Sequence, residues 1–380
     1  MSKEKPYCLM PWIHFHVGDH GMAKACCVAN IPFGNINEQS FDEIWNGDAI
    51  NQLREKFAKG EKDNRCAQCY KLEDAGGKSI RQETFEKFPH IKIDNSSQTL
   101  PIYFDIRFSN VCNFRCRTCW HGASSKWFAD AKSLGRNVGE KAIIQNIQDF
   151  NSFIEKTGKA LLKAEEIYFA GGEPLVTEEH YLLLSWLIEK NATQIRLRYN
   201  TNFSKLKFRE YDVIDLWEKF PKVEILASID ATKDLGEYIR KEFSWKIFLE
   251  NREKIKTLSH VDFKISPTIS ILNIQHLPDL YKTGLELQLI DNQGIYLNIL
   301  ERPIHYNIKI LPKEKKEKVQ ITFDEFFIWM EKNNIPKSVK AMFQECLDYM
   351  WAEDLSKHWN AFERENGRLD ELREERFENL

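Results

Sequence analysis

Nowhere in the chain do about 18 apolar residues follow one another without interruption, so no membrane-spanning helix is expected. The opening residues, Met1 to Cys8, hold no apolar stretch of the kind a secretory signal carries, and a cytosolic location is the expectation. Charge of neither sign dominates. With 54 basic against 57 acidic residues and a formal net charge of -3, no global field draws the chain toward nucleic acid or an anionic membrane. Repeats and low-complexity tracts are missing too, and 42% hydrophobic with 29% charged residues is the balance of an ordinary folded protein. At 380 residues the chain exceeds what one core usually organises, so two domains, or one large domain with an appendage, are expected.

Cysteine is nearly absent from the later chain: only Cys346 lies beyond Cys119, while eight of the nine thiols precede it. In a cytosolic protein of this length such a distribution reads as metal ligands rather than disulfides. The first 95 or so residues are punctuated by Gly18, Gly21, Pro32, Gly34 and Gly60 without a long apolar period. They predict a loop-rich unit stapled by something other than a core. From residue 96 the texture changes to short β-rich runs alternating with helical patterns. Strands are predicted at 101–108, 166–170, 194–199, 223–228, 262–269 and 295–300. Helices are predicted near 124–134, 140–162, 178–190, 210–220, 237–258 and 277–285. Six β/α units with right-handed crossovers predict an α/β fold, a partial barrel over residues 96–305. The charged, periodic remainder, 306–380, reads as a C-terminal helical cap.

Cys112-Asn113-Phe114-Arg115-Cys116-Arg117-Thr118-Cys119 sets three thiols directly after the first strand of the barrel. Three thiolates on a four-iron cube leave one iron open, whereas structural zinc usually closes all four positions. A buried group of free structural cysteines is the competing reading. These residues resemble the radical S-adenosylmethionine (SAM) superfamily, whose signature is this spacing after the first strand of a partial (β/α)6 barrel. Gly171-Gly172-Glu173-Pro174 resembles the motif that holds the SAM amino group: paired glycines allow close approach and a carboxylate neutralises an ammonium. Asn200 and Asn202, then Ser228 and Asp230, resemble segments that contact the SAM ribose and methionine, and Arg240 resembles the arginine that pairs its carboxylate. Thr118 stands where an adenine-holding aromatic is usual, with Trp120 nearby as a substitute. The resemblance implies reductive SAM cleavage to a 5′-deoxyadenosyl radical, hydrogen abstraction from a peptide or carbohydrate-like small molecule, and a reductant such as flavodoxin or ferredoxin.

The N-terminal thiols Cys8, Cys26, Cys27, Cys66 and Cys69, with Gly21 and the run Phe41-Asp42-Glu43-Ile44-Trp45, resemble SPASM/twitch auxiliary-cluster modules. That likeness implies a second [4Fe–4S] cluster on Cys8, Cys26, Cys66 and Cys69 over residues 1–95, with Cys27 as alternate. A zinc ribbon on the same thiols is the competing reading. Two wider alternatives belong to other classes, a non-catalytic zinc-binding module and a tRNA- or nucleotide-modifying radical enzyme, the latter needing a basic surface. His14 and His16 alternate onto one strand face, where a satisfied pair is the plain reading. Gly76-Gly77-Lys78-Ser79 lacks the first glycine and preceding strand of a phosphate loop and is rejected as one. Residues 313–318 read as a solvated helix face, and Cys346 as core.

Overall fold

A computed structural model describes residues 7–74, 77–92, 99–376 of the chain. These fall into two compact units, each assembled from separate stretches: 1–110, 144–198 and 215–222 form one, and 111–143, 199–214 and 223–380 the other. The architecture is α/β with mostly parallel strand pairing. Among the described residues no helix is long and apolar enough to cross a membrane.

In the first unit, β1 (His14–Gly18), β4 (Tyr103–Ile106) and β5 (Glu166–Phe169) pair in parallel, and β2 (Met22–Lys24) with β3 (Pro32–Asn35) extends β1 antiparallel. Register across the parallel strands separates two faces. Phe15, Phe104 and Ile167 align, as do Val17, Ile106 and Phe169, while His16, Asp105 and Tyr168 align on the opposite face. One face is therefore an apolar core and the other a polar row. The N-terminal region departs from the expectation of a coreless, loop-rich unit. Ser40 and Glu43 form a capping box that starts the helix Phe41–Trp45, whose two rings flank Phe15 at 5.2 and 6.1 Å. The next helix, Asp48–Ala58, buries Ile50, Leu53 and Phe57 on one stripe, and Arg54 lies over Trp45 at 4.6 Å. Short elements hid that core from any search for long periods. Ser79, with Gln82, caps the helix Ile80–Lys87; Gly76, also in the rejected phosphate-loop run, lies outside the described residues.

The strand β6 (Arg196–Thr201) runs from the first unit's residues into the second's. In the second unit the chain makes a two-residue ladder of β7 (Lys207–Phe208) and β8 (Tyr211–Asp212). There β9 (Val223–Ala227) pairs in parallel with β10 (Val261–Ile265), and β11 (Thr268–Ile269) with β12 (Asn298–Ile299). The predicted strand 262–269 is thus split at Ser266 and Pro267, because proline cannot supply a ladder N–H. Two predicted helices are shorter than their patterns. The helix expected over 140–162 spans Phe150–Leu161, started by the Asp149 side chain, and that over 237–258 is two helices, Lys233–Ile239 and Trp245–Ile255. Toward the C-terminus, helices Lys313–Lys332 and Lys337–Trp351 pack Phe326 and Phe343 against Tyr281, with Phe323 against those two rings. Cys346 is core as expected, but Lys316 is not solvated: it is buried and donates to the Glu353 carbonyl at 3.2 Å.

Candidate functional site

The N-terminal thiols of the first unit fall into two groups. Cys8, Cys26, Cys66 and Cys69 sense one another electrostatically, and burial followed by these neighbours pushes the Cys8 thiol well up. Burial raises Cys26 to about 12 and Cys66 to about 11, the latter helped by Asp63 and Cys69. Cys26 Sγ accepts from Ala29 N–H at 3.2 Å, a backbone donor of the kind that steadies a ligating sulfur. Four thiols within mutual influence match the donor set of an iron–sulfur cluster or of zinc. No three His, Cys, Asp or Glu side chains among the described residues converge on one point as a single ion needs. The turn that brings Cys26 in depends on Gly21, at φ +89°, where an added Cβ would stand 2.1 Å from Asn37 Nδ2.

Cys27 keeps different company. It opens to solvent yet is hemmed in by protein, which together with Asp105 pushes its thiol up to about 12, while Arg107 opposes the rise. Asp105 belongs to the polar row. Its carboxylate lies 2.9 Å from His16 Nδ1 and 3.3 Å from Arg107 Nε, and, although burial opposes it, Arg107 and His16 hold it well below the usual range. His14, beside them, bonds the Ala25 carbonyl at 2.7 Å and is lowered to about 4 by burial. The plain reading of a satisfied side chain holds for His14; His16 Nδ1 stands beside Asp105 without an aligned hydrogen bond. The sequence reading did not single out Asp105, Arg107 or Tyr168; the alternation of His14 and His16 was the signal that a polar row begins in β1.

Also in the first unit, Gly171 and Gly172 both have positive φ, +76° and +50°. A Cβ on Gly171 would meet Arg107 Cβ at 2.8 Å, so the glycine is required by close approach. Glu173 is buried and its carboxylate accepts from Leu175 N–H at 2.9 Å, capping the single turn Pro174–Val176.

The cysteine loop lies in the second unit. Cys116 is buried and Cys119 half-buried, and burial followed by Cys116 pushes Cys119 up to about 12. Arg240 Nη1 stands 3.7 Å from Cys116 Sγ; burial raises that thiol and Arg240 pulls it back. Arg240 also pairs with Asp230 at 2.8 and 2.9 Å, and Asp230 accepts from Thr268 N–H at 2.7 Å. The segment after β6 is tied to the loop, and the end of β9 to the end of β6. Asn202 Nδ2 donates to Asn113 Oδ1 at 2.8 Å, Asn113 Nδ2 to Ser204 Oγ at 2.9 Å, and Ser228 N–H to the Thr201 carbonyl at 2.8 Å. Trp127 Nε1 donates to the Cys116 carbonyl at 2.6 Å. Asn200 Oδ1 is buried with no hydrogen-bond partner among the described residues, an acceptor of the kind a bound ligand satisfies. Thr118 is half-buried, and Trp120 is 56% exposed, its ring over Gly122 and edge-on to His121 at 5.0 Å.

Residues 8–70 match the family described as SPASM, an iron-sulfur cluster-binding domain. That span contains Cys8, Cys26, Cys27, Cys66 and Cys69. No curated protein matches the chain.

Proposed function

We propose that the chain is a radical SAM oxidoreductase with two iron–sulfur clusters. A SAM-binding cluster would sit on Cys112, Cys116 and Cys119, and an auxiliary one on Cys8, Cys26, Cys66 and Cys69. The observation that carries the reading is the loop Cys112–Cys119 itself, three thiols closely spaced with the Arg240–Asp230 pair against Cys116. The SPASM match at residues 8–70 supports the auxiliary cluster, since such modules typify this class of enzyme. The same reading takes the β/α units as a partial (β/α)6 barrel over residues 96–305.

When bound, the open-cornered cluster with SAM supplies a 5′-deoxyadenosyl radical from one electron of a flavodoxin- or ferredoxin-type donor. The protein's own share is position and charge. Arg240 favours the thiolate of Cys116 and, on this reading, offers its guanidinium to the SAM carboxylate; Glu173 is assigned the SAM ammonium. Asn200, whose acceptor is unsatisfied, and Asn202, Ser228 and Asp230 are assigned the ribose and methionine. Asn113 and Trp127 hold the cysteine loop in shape through Asn202 and the Cys116 carbonyl. Thr118 and Trp120 leave the adenine contact the least built part. The substrate class is a peptide or carbohydrate-like small molecule, and the compartment the cytoplasm.

Anaerobic reconstitution should load about eight irons per chain, two four-iron cubes. Changing Cys112, Cys116 and Cys119 together to Ala should leave about four and end 5′-deoxyadenosine formation. Continued SAM cleavage by that variant would overturn the reading.

A further inference from the structure

Arg117, the first of the two residues between Cys116 and Cys119, has a side chain with 0% exposure. Its Nε donates to the Tyr238 carbonyl at 3.0 Å and Nη1 to Asn366 Oδ1 at 3.1 Å. Nη2 meets Asp370 at 2.6 Å and Glu375 at 2.7 Å, and the guanidinium lies 3.6 Å from the Tyr238 ring centre. Among the described residues, the anionic partners of this buried cation therefore both come from the C-terminal segment, some 250 residues away in sequence. The partners are fixed in turn: Tyr238 Oη donates to Asp370 at 3.0 Å and accepts from Asn366 Nδ2 at 2.8 Å, and Lys241 pairs with Glu375.

A second cation repeats the arrangement in the opposite sense, from the C-terminal helix Trp359–Arg373 toward the loop. Arg373 Nε and Nη2 meet Asp130 at 2.9 and 2.8 Å, and Nη2 also donates to the Arg115 carbonyl at 2.7 Å. Its guanidinium lies 4.9 Å from the ring of Trp127, the residue that holds the Cys116 carbonyl. Leu369, one turn earlier, packs with Trp127 and Ala131 in a cluster that also touches Cys119. On its other side the loop is held by backbone and side chains of 238–242: Arg117 N–H donates to the Ile239 carbonyl at 2.8 Å, Arg115 N–H to the Lys241 carbonyl at 3.3 Å, and Arg115 Nε lies 3.4 Å from Glu242. None of these C-terminal residues hydrogen-bonds a cysteine sulfur; their polar contacts reach the loop through Arg115, Arg117 and Trp127, the Leu369 cluster touches Cys119, and the Arg373 charge is felt at Cys116.

We propose that the helix Trp359–Arg373 with Glu375 is a positioning element for the cysteine loop, acting through Arg117 and Arg373 as positioning residues. The proposal takes the loop to be the SAM-cluster site, as read above. The physical reason is asymmetry. A buried guanidinium with two carboxylates is tolerated, whereas one stripped of them must find water, and the loop that carries it would open to do so. An element that served only as a surface cap would put its charges into solvent and leave the loop's sulfurs indifferent to them.

The test is peptide-resolved thiol alkylation of the full chain stripped of metal, alongside electron paramagnetic resonance of the reduced, loaded chain with and without SAM. In the double variant Asp370→Asn with Glu375→Gln, Cys116 and Cys119 should alkylate about tenfold faster while Cys8, Cys26, Cys66 and Cys69 keep their rates. The change in the loaded chain's spectrum on adding SAM should be broadened or lost, and Glu375→Asp should restore it in part. Should the double variant not fold, Glu375→Gln alone, which leaves Asp370 on Arg117, decides by the same rates. Unchanged alkylation of Cys116 and Cys119 with an unchanged spectrum would overturn the proposal. A wild-type chain that never binds SAM, with the rate effect intact, would leave the positioning role standing and remove the radical SAM reading instead.

Discussion

Cys26 and Cys27 are neighbours in sequence with different company in space. Cys26 faces Cys66 and Cys69, while Cys27 faces Asp105 and Arg107. If the four-thiol group is the auxiliary ligand set, their substitutions should differ although the side chains adjoin. In a chain whose Cys112, Cys116 and Cys119 are already Ala, Cys27→Ser should keep about four irons and Cys26→Ser should lose them. Iron and sulfide analysis with Mössbauer spectra reads the difference, and equal loss in both would reject the division. The likeness to auxiliary-cluster modules already implied Cys26, with Cys27 as alternate. The identity of Cys27's neighbours could not be read there, because Asp105 lies on β4 and Arg107 just beyond its end, and only strand register brings Asp105 level with His16. Arg117 was illegible for the same reason: an arginine inside a cysteine loop looks like a surface charge until its partners, Asp370 and Glu375, are placed.

At the scale of elements, the strands were largely legible and the helix ends were not, and the causes are specific. The segment before Phe150 has helical spacing, yet Ile144 N–H bonds Asn110 Oδ1 at 2.8 Å and Asn146 Nδ2 bonds the Arg107 carbonyl at 2.9 Å. Contacts more than 30 residues distant in sequence thus compete with local propensity and win. The break between Ile239 and Trp245 has a similar origin: the carbonyls of Ile239 and Lys241 serve the cysteine loop, and Glu242 takes φ +81° before Ser244 caps the next helix. A helix running through would withdraw those carbonyls. The turn after β5 carries a sharp local demand, with Gly171 in left-handed backbone and no room for a Cβ. Gly171→Ala should therefore cost about 2 kcal/mol or more in chemical unfolding. Gly139→Ala, at ordinary φ with nothing within 4 Å of the added methyl, should be close to neutral. Similar values for both would mean that the turn relaxes freely and that the glycine is not held by sterics.

Across the whole molecule the near-balance of 54 basic and 57 acidic residues hides a one-sided response to acid. Burial lowers His14 to about 4 and His180 to about 3, so both stay neutral in the fold where the unfolded chain's imidazoles have begun to bind protons. Between the unfolded value near 6.5 and these lowered values the unfolded state holds more protons, and stability must fall as pH falls. Above about 6.5 both states are neutral and the contribution is complete. Two paired carboxylates act in the same direction at lower pH. Asp63 is held below the usual range by its hydrogen bonds from Arg65, and Asp105 by Arg107 and His16 against the effect of burial, so both lose their pairing energy only on strong acidification. His180 is the cleaner probe, since burial alone shifts it, with its ring edge-on to Phe169 and Tyr181 at 4.9 and 4.7 Å. By about pH 4.5 it alone should remove about 2–3 kcal/mol relative to neutrality. Urea unfolding of the full chain from about pH 7 down to about pH 4.5 should show that decline, and His180→Phe, which keeps a ring among those aromatics, should flatten it by a similar amount. An equal slope in the variant would place the proton uptake elsewhere and show that His180 is protonated without penalty in the folded state.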